Sequence, residues 1–405
     1  MKAPRRYRIR ALLSLGGLLL AVVIGETGLR LAGVSHPIFH RADEHLGWAL
    51  IPGAEGWWTQ EGRTYLRLSS DGLRDREHSR EKPDGTLRVA VLGDSFTAAF
   101  QVPVERTFWS VMEGDLNRCP ALHGRRAEAV NFGVNGYSTS QELLTLRHRV
   151  RAFSPDVVVV AVYTGNDIFN NSKAMNPDDA APRFIEKDGA LVLDRSFQNT
   201  PRHIFHRSVA GAVYRRIVGA SRLLQVVRAG WKSSQRARQA RSANDAAGGT
   251  SVSASIYREP VDPLWREAWA ITERLLATMR DEVHAMGARF LVVTLSNPEQ
   301  VYPGPSARAA RARALGVLDL AYPDRRIASL GRRTGFPVLN LAPVLQAHAD
   351  RTGEFLHGFA NKGSGHWNEL GHQRAGRVVS ETLCRQVLTE SPGRPEGRTH
   401  DASGM

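Results

Sequence analysis

The chain has 405 residues, a length that suits one large domain or two small ones. Hydrophobic residues make up 42% and charged residues 23%, which excludes a fully disordered chain, a fibrous protein and a polytopic membrane protein. Two cysteines are too few for a disulfide-dense scaffold or a four-cysteine zinc site. The formal net charge of +14 suggests an anionic partner, so the position of the basic residues must be examined.

Residues 1–36 predict a basic leader and a membrane helix. Residues 2–10 hold five basic side chains and no acid, and residues 11–25 then run without a charge. A helix over that run is about 22 Å long, short of the roughly 30 Å hydrocarbon core, and suits the apolar region of a cleaved signal peptide. The alternative is an uncleaved anchor that continues through Val34, with Glu26 and Arg30 paired at the far interface.

We favour the uncleaved anchor because no small-residue cleavage site follows the apolar run. The basic leader disfavours a third alternative, a buried N-terminal helix. It also keeps the N-terminus in the cytoplasm, so the rest of the chain is expected in the periplasm or outside the cell, on a single-pass anchor in the cytoplasmic membrane.

Residues 37–86 predict a small β-rich lead-in with a turn at Asp71-Gly72. Residues 87–389 then alternate between strand and helix patterns, with strands predicted at 88–92, 127–132, 156–162, 289–295 and 336–341. Helices are predicted at 105–117, 138–153, 264–286 and 369–388. This alternation predicts a flavodoxin-like, doubly wound parallel sheet of about five strands.

An insertion at about 168–262 interrupts the alternation. It contains a hairpin pattern at 182–194, a basic stretch at 202–241 and a Ser-, Ala- and Gly-rich loop at 242–255. Residues 390–405 are expected to be a disordered tail. The positive charge therefore lies in the leader and the insertion, which suits anionic lipid or polymer, or a solvated face. No nucleic-acid recognition motif accompanies it, so no nucleic-acid partner is expected.

The first core strand ends in Gly93-Asp94-Ser95. A serine there lies at the carboxyl end of a parallel strand, where open α/β sheets bind ligands. The next two strands are followed by a glycine turn containing Gly136 and by Gly165-Asn166-Asp167. The N–H groups of Ser95 and Gly136 and the amide of Asn166 are therefore candidate donors to an oxyanion.

His366 follows the last strand and precedes the closing helix, which places it at the same edge as a candidate general base. His372 lies six residues further on, inside the predicted helix, where a packing or surface role is expected.

These residues resemble the SGNH/GDSL hydrolase superfamily, exported membrane-anchored bacterial type, over roughly residues 87–388 apart from the insertion. The resemblance implies the SGNH hydrolase fold, Ser95 as nucleophile, Gly136 and Asn166 as the rest of the oxyanion hole, and His366 as base. In that family an aspartate two or three residues before the histidine usually orients the imidazole. Gly363 and Ser364 occupy those positions here.

The group that orients His366 therefore stays open. The candidates are Ser364, a backbone carbonyl, or a carboxylate from elsewhere, with Glu354 and Glu369 the nearest in sequence. Asp94 is a further supporting candidate. Loss of activity is another outcome of the missing aspartate.

Cys119 follows the first core helix, and Cys384 lies in the closing helix. The first and last helices of a doubly wound sheet commonly share a face, so a Cys119–Cys384 disulfide is one hypothesis and two buried thiols are the other.

The resemblance implies an esterase or O-acyltransferase for an acyl ester, such as an acetylated envelope glycan, without cofactor or metal. The alternative is a catalytically impaired protein that binds glycan or envelope partners; nothing in the sequence indicates the oligomeric state.

Overall fold

The structure is a computed structural model that describes residues 5–176, 178–246 and 252–389. Its helices are α1 (Arg5–Leu31), α2 (Ser95–Ala98), α3 (Phe108–Leu116), α4 (Thr139–His148), α5 (Asp167–Asn171), α6 (Pro201–Arg207), α7 (Val209–Ala220), α8 (Arg222–Ala246), α9 (Val252–Ser255), α10 (Pro263–Ala285), α11 (Pro305–Ala314), α12 (Tyr322–Thr334), α13 (Leu341–Thr352) and α14 (Glu369–Thr382).

The strands are β1 (His40–Asp43), β2 (Gly47–Leu50), β3 (Glu55–Trp58), β4 (Thr64–Arg67), β5 (Thr86–Gly93), β6 (Arg126–Asn131), β7 (Val157–Tyr163), β8 (Arg183–Lys187), β9 (Ala190–Asp194), β10 (Arg289–Leu295) and β11 (Val338–Asn340).

Five parallel strands form the central sheet in the order β11–β10–β7–β5–β6. In chain order this is 2-1-3-4-5, the flavodoxin-like arrangement, so the predicted fold class is confirmed. Side chains alternate across β5: Val89 and Val91 pack on the α3 and α14 side, and Ala90 and Leu92 pack on the α4 and α10 side. Burial on both faces explains the continuous apolar runs from which these strands are predicted.

Several predicted elements are shorter in the structure. The helix predicted at 105–117 begins only at Phe108, because Thr107 is extended and caps α3 through its side chain. The helix predicted at 138–153 ends at His148, and a separate 3₁₀ turn covers Val150–Phe153. The closing helix changes to a π turn at Leu383–Val387, and the strand predicted at 336–341 shortens to β11.

The lead-in forms two antiparallel hairpins, β1–β2 and β3–β4. Leu46, Leu50, Leu66 and Leu68 are buried in the core on the α4 side of the sheet, so the lead-in packs on the α/β unit. Gly62 in the β3–β4 turn has φ +69°, and a Cβ there would lie 2.4 Å from the carbonyl oxygen of Gln101. Only glycine lets this turn approach the sheet edge so closely.

The insertion contains the predicted hairpin, β8–β9, with Asp188-Gly189 at its turn. The basic stretch is helical and forms α6, α7 and most of α8. The predicted loop at 242–255 is wrong at both ends, because α8 continues to Ala246 and α9 covers Val252–Ser255. Alanine, which favours helix, occurs in both helical segments of this range. Residues 247–251 and the predicted tail, 390–405, lie outside the described residues.

Helix α1 is long and apolar enough to cross a membrane. Within Tyr7–Leu31, the most apolar 18-residue window has a mean hydropathy of 1.9 and contains no buried residue. A signal sequence has the same properties, so length and composition leave both alternatives for the leader in place. The Glu26 carboxylate lies 2.7 Å from the Arg30 guanidinium, as the spacing predicts.

The sulfur atoms of Cys119 and Cys384 are bonded, with 5.9 Å between the two Cα atoms. Cys119 follows α3 and Cys384 follows α14, and these helices pack together on one face of the sheet. The bond joins residues 265 positions apart, a loop long enough to restrict the unfolded chain strongly.

Replacing both cysteines, Cys119→Ser with Cys384→Ser, is expected to lower the free energy of unfolding by about 4–5 kcal/mol, because the unfolded chain loses its cross-link. Guanidinium unfolding of the full chain in detergent measures this, with the oxidised parent protein as control. Equal midpoints for parent and variant would contradict the prediction.

Candidate active site

Ser95 lies at the carboxyl end of β5, at the first position of the short helix α2. Asp94 caps this helix: its Oδ1 accepts a hydrogen bond from the Phe96 N–H at 2.9 Å. Gly93 has no room for a side chain, since a Cβ there would lie 2.1 Å from Thr97 Oγ1. The tight turn leaves the Ser95 side chain half-buried at the edge of the sheet.

His366 meets Ser95 across 271 residues of sequence. The His366 Nε2 atom lies 2.8 Å from Ser95 Oγ, within hydrogen-bond distance. The Phe96 ring lies against the imidazole, with 4.8 Å between centroids. A serine and a histidine in this geometry can act as nucleophile and general base.

Glu61, in the turn between β3 and β4, occupies the other side of the imidazole. Its Oε2 lies 2.5 Å from His366 Nδ1, and its Oε1 accepts a hydrogen bond from the His366 backbone N–H at 2.8 Å. Burial favours a raised pKa for Glu61, but the hydrogen bonds and charge of His366 outweigh it and lower the pKa. The carboxylate therefore stays ionised in mildly acidic solution.

Gly365 permits this contact. It has φ +73°, and a Cβ there would lie 2.1 Å from Glu61 Oε1. Sequence reasoning missed Glu61 because it lies 305 residues from His366, in a separate hairpin. Its only local signal is an acid beside a glycine in a short turn, which is typical of surface turns.

The acids and the serine expected near His366 have other partners. Ser364 is exposed and donates to the carbonyl of Asn361 at 2.9 Å. Glu369 pairs with Arg106 at the surface, 2.9 Å away. Glu354 lies 3.0 Å from His348. None of these three side chains contacts the imidazole of His366, because each one is bound to another partner.

Asp94 and Asn166 join the site beside Ser95. Asp94 Oδ2 accepts a hydrogen bond from Asn166 Nδ2 at 2.9 Å and lies 3.3 Å from Ser95 Oγ. Asp94 is fully buried, and burial raises its pKa against the opposing hydrogen bonds from Phe96 and Asn166. One amide hydrogen of Asn166 is used by Asp94, which leaves the second for another acceptor.

Gly136 lies in the loop after β6, the strand next to β5. It is exposed and has φ +80°, a conformation that favours glycine. The neighbouring Asn135 carbonyl accepts a hydrogen bond from the indole of Trp48 at 3.2 Å, which fastens this loop to the lead-in. The three predicted oxyanion donors thus follow three adjacent strands, β6, β5 and β7.

Hydrogen bonds to buried side chains hold the loop that carries His366. His357 is buried, with Nδ1 2.8 Å from the Gly365 carbonyl oxygen and Nε2 3.0 Å from Ser296 Oγ. The indole of Trp367 donates to the same Ser296 Oγ at 2.9 Å. Burial lowers the pKa of His357 to about 4, so its ring is neutral and both nitrogens serve this support.

His372 has a packing role, as expected from its position inside the helix. It is buried in α14, and its Nδ1 accepts a hydrogen bond from the Phe108 backbone at 3.3 Å. Burial lowers its pKa to about 3. Within the described ranges, no group of three or more His, Cys, Asp or Glu side chains could hold a metal ion.

A search of curated sequences finds no match. Among solved structures, the acetyl xylan esterase AlAXEase is similar over 73% of this chain and 100% of its own, with 12% identity and a TM-score of 0.38. TesA is similar over 73% and 98%, with 14% identity and a TM-score of 0.35. Axe2, an acetylxylan esterase from Geobacillus stearothermophilus, is similar over 76% and 97%, with 11% identity and a TM-score of 0.36.

The model of one protein family matches residues 91–374, more than half of the chain. The matched range begins in β5, just before Ser95, and ends in α14, after His366, so it contains the motifs on which the sequence resemblance depends. That resemblance is confirmed: the chain belongs to the GDSL-like lipase/acylhydrolase family, whose members are hydrolases that act on ester bonds.

Proposed function

We propose that the protein is a membrane-anchored serine esterase in which Ser95 is the nucleophile, His366 the general base and Glu61 the residue that orients the base. One observation carries this proposal: hydrogen-bond distances of 2.8 Å and 2.5 Å link Ser95 Oγ to the imidazole and the imidazole to Glu61. The arrangement is that of a nucleophile, base and carboxylate triad.

In the proposed reaction, Ser95 Oγ attacks the ester carbonyl carbon while His366 Nε2 takes its proton. The imidazolium gives that proton to the alkoxy oxygen as the C–O bond breaks, so the alcohol leaves and acyl-Ser95 remains. Water, or an acceptor hydroxyl, then attacks the acyl carbon and gives its proton to His366. Breakdown of the second tetrahedral intermediate returns that proton to Ser95 Oγ and releases the acid or the new ester.

Glu61 contributes charge and orientation. Its carboxylate accepts from Nδ1, which directs the lone pair of Nε2 towards Ser95 and stabilises the imidazolium that forms during attack. Its second oxygen binds the backbone of the same histidine, so the ring and the main chain are fixed by one side chain. Glu61 thus takes the place of the aspartate usual in the family.

The oxyanion donors we propose are the backbone N–H groups of Ser95 and Gly136 and the second amide hydrogen of Asn166. Asp94 fixes the Asn166 amide through its 2.9 Å hydrogen bond, which supports a preorganised donor. The main support for the alternative, a catalytically impaired binding protein, is the missing aspartate; the contact between Glu61 and His366 supports the catalytic proposal instead.

We further propose that α1 stays attached as a single-pass anchor in the cytoplasmic membrane and that the α/β unit faces the periplasm or cell exterior. The basic leader supports this orientation, and the disulfide suits an oxidising compartment. An O-acetyl group of an envelope polysaccharide is the substrate we propose, by analogy with exported members of the family. The acceptor is water in a hydrolase and a sugar hydroxyl in an O-acyltransferase.

Ser95→Ala is expected to lower p-nitrophenyl acetate hydrolysis by at least about 1,000-fold, because no other group replaces the nucleophile. Ser329→Ala, at a serine on α12 that bonds Arg333, is the matched control and should keep parental activity. The same pair of variants, tested for acetate release from O-acetylated polysaccharide, examines the proposed substrate. Equal rates for Ser95→Ala and the parent would overturn the nucleophile assignment.

Glu61→Gln is expected to lower kcat by about 100- to 10,000-fold with little change in KM, because the amide no longer stabilises the imidazolium. Glu369→Gln removes only an exposed ion pair and should change kcat by less than about twofold. Steady-state kinetics on one ester measures both, and Glu61→Asp should restore part of the activity. A loss in Glu369→Gln with full activity in Glu61→Gln would reverse the assignment.

The proposed anchor predicts that protein purified from membranes keeps residues 7–31. Intact-mass measurement after alkaline carbonate extraction checks this, since an integral helix stays in the membrane pellet. A shorter mass that begins beyond residue 25, with the protein in the supernatant, would identify a cleaved signal peptide.

A further inference from the structure

Helices α6, α7 and the first half of α8 form a basic, partly apolar surface. The proposed reaction does not use this surface. Residues 201–234 contain seven basic side chains and no acid. Within this stretch, Val209, Val213 and Ile217 are 81%, 51% and 53% exposed. Their spacing of four residues places them on one face of α7, opposite the buried Val218.

The exposed face of α7 is both apolar and cationic. Arg216 is seven residues after Val209, so it lies on the same face of α7, at one edge of the apolar stripe. It is exposed and has no ion pair with the described residues. An arginine at the edge of an exposed valine and isoleucine stripe suits a boundary between apolar chains and phosphate groups, where its stem is buried and its head reaches the phosphates.

The first turns of α8 continue the same character. Leu224, Val227 and Trp231 are 40%, 67% and 65% exposed and are spaced three and four residues apart, on the side of α8 away from the buried Gln225. Tryptophan is enriched where a membrane meets water, because its ring is apolar and its N–H is polar.

The junction between α7 and α8 is fastened to the end of α1. Glu26 accepts hydrogen bonds from the backbone N–H of Arg222 at 3.0 Å and of Leu223 at 3.1 Å. Arg30 donates to the Ala220 carbonyl at 2.6 Å. Three residues at the junction therefore lie at the level of Glu26 and Arg30.

That level is the membrane interface. A hydrocarbon core of about 30 Å takes roughly 20 helical residues, so a span that begins at residue 11 reaches its far side near Arg30. The α7–α8 junction thus begins where α1 leaves the bilayer. The exposed stripe of α7 therefore ends beside the bilayer surface, at Ala220.

We propose that α7 lies along the outer surface of the membrane that α1 crosses, with its valine and isoleucine stripe in the boundary layer and Arg216 on the phosphates of anionic lipids. The partner is a phospholipid surface, chosen by continuity with α1 and by charge. This inference rests on the proposed anchor. It adds a second membrane contact to α1 and fixes how the α/β unit is turned towards the bilayer.

The decisive probe is Val209, which lies at the end of α7 furthest from the junction. The native cysteines are bonded, so Val209→Cys in the full chain gives one free thiol for a polarity-sensitive fluorophore. In vesicles of phosphatidylcholine and phosphatidylglycerol, we expect a blue shift and quenching by acyl-chain quenchers. Val344→Cys, at a 46% exposed valine on α13, is the matched control and should stay aqueous.

Flotation of the same samples separates the two proposals. Protein that floats while the label at 209 stays aqueous would overturn the α7 surface and leave the anchor in place. Protein that does not float would overturn both. Adding Arg216→Glu is expected to weaken quenching in vesicles that contain phosphatidylglycerol and to change it little in phosphatidylcholine alone. A label that responds to soluble heparin but not to vesicles would assign the surface to an anionic polymer instead.

Discussion

The contact between Glu61 and His366 is the interaction on which the proposed chemistry depends. An imidazole that is free to turn at Nδ1 can present either nitrogen to the serine, and only one geometry removes the Ser95 proton. Glu61 fixes that geometry through two hydrogen bonds, one to the ring and one to the backbone. The lead-in is therefore part of the active site, since it carries the acid.

Buried carboxyl groups surround the strand ends beneath Ser95. Glu142 and Asp167 are both fully buried, and burial, together with the charge of neighbouring acids, raises the pKa of each well above its usual range. Three ionised carboxylates in this space would repel one another and the negative charge that develops on the substrate oxygen. The raised pKa values of Glu142 and Asp167 favour their neutral forms, which reduces that repulsion. Burial also raises the pKa of Asp94, against the hydrogen bonds from Phe96 and Asn166.

The sequence is sufficient to predict the sheet and the residues at its edge. Apolar runs such as 157–162 define the strands, and the parallel order places Ser95, Asn166 and His366 at one edge because each follows a strand or precedes the closing helix. The sequence does not predict the role of Glu61. The β3–β4 hairpin packs on a loop 305 residues away, and neither segment has a periodic pattern that indicates this contact. The helices of the basic stretch are missed for a different reason: basic residues without acids mark the stretch by its net charge, while the four-residue spacing of Val209, Val213 and Ile217 is the helical signal in it.

The chain path from α1 to Glu61 is short and closely packed. Pro37, just after α1, lies against β3, where a Cβ on Gly56 would be 2.5 Å from its ring. Gln225 of α8 accepts from the His36 backbone, and Arg207 of α6 pairs with Glu44 of the lead-in. The segment that follows α1 thus packs directly on β3, and α6 and α8 contact the lead-in beside it. A shift of the lead-in relative to the sheet would move the Glu61 carboxylate away from His366, so the contacts that hold the lead-in after α1 also bear on the proposed catalytic geometry.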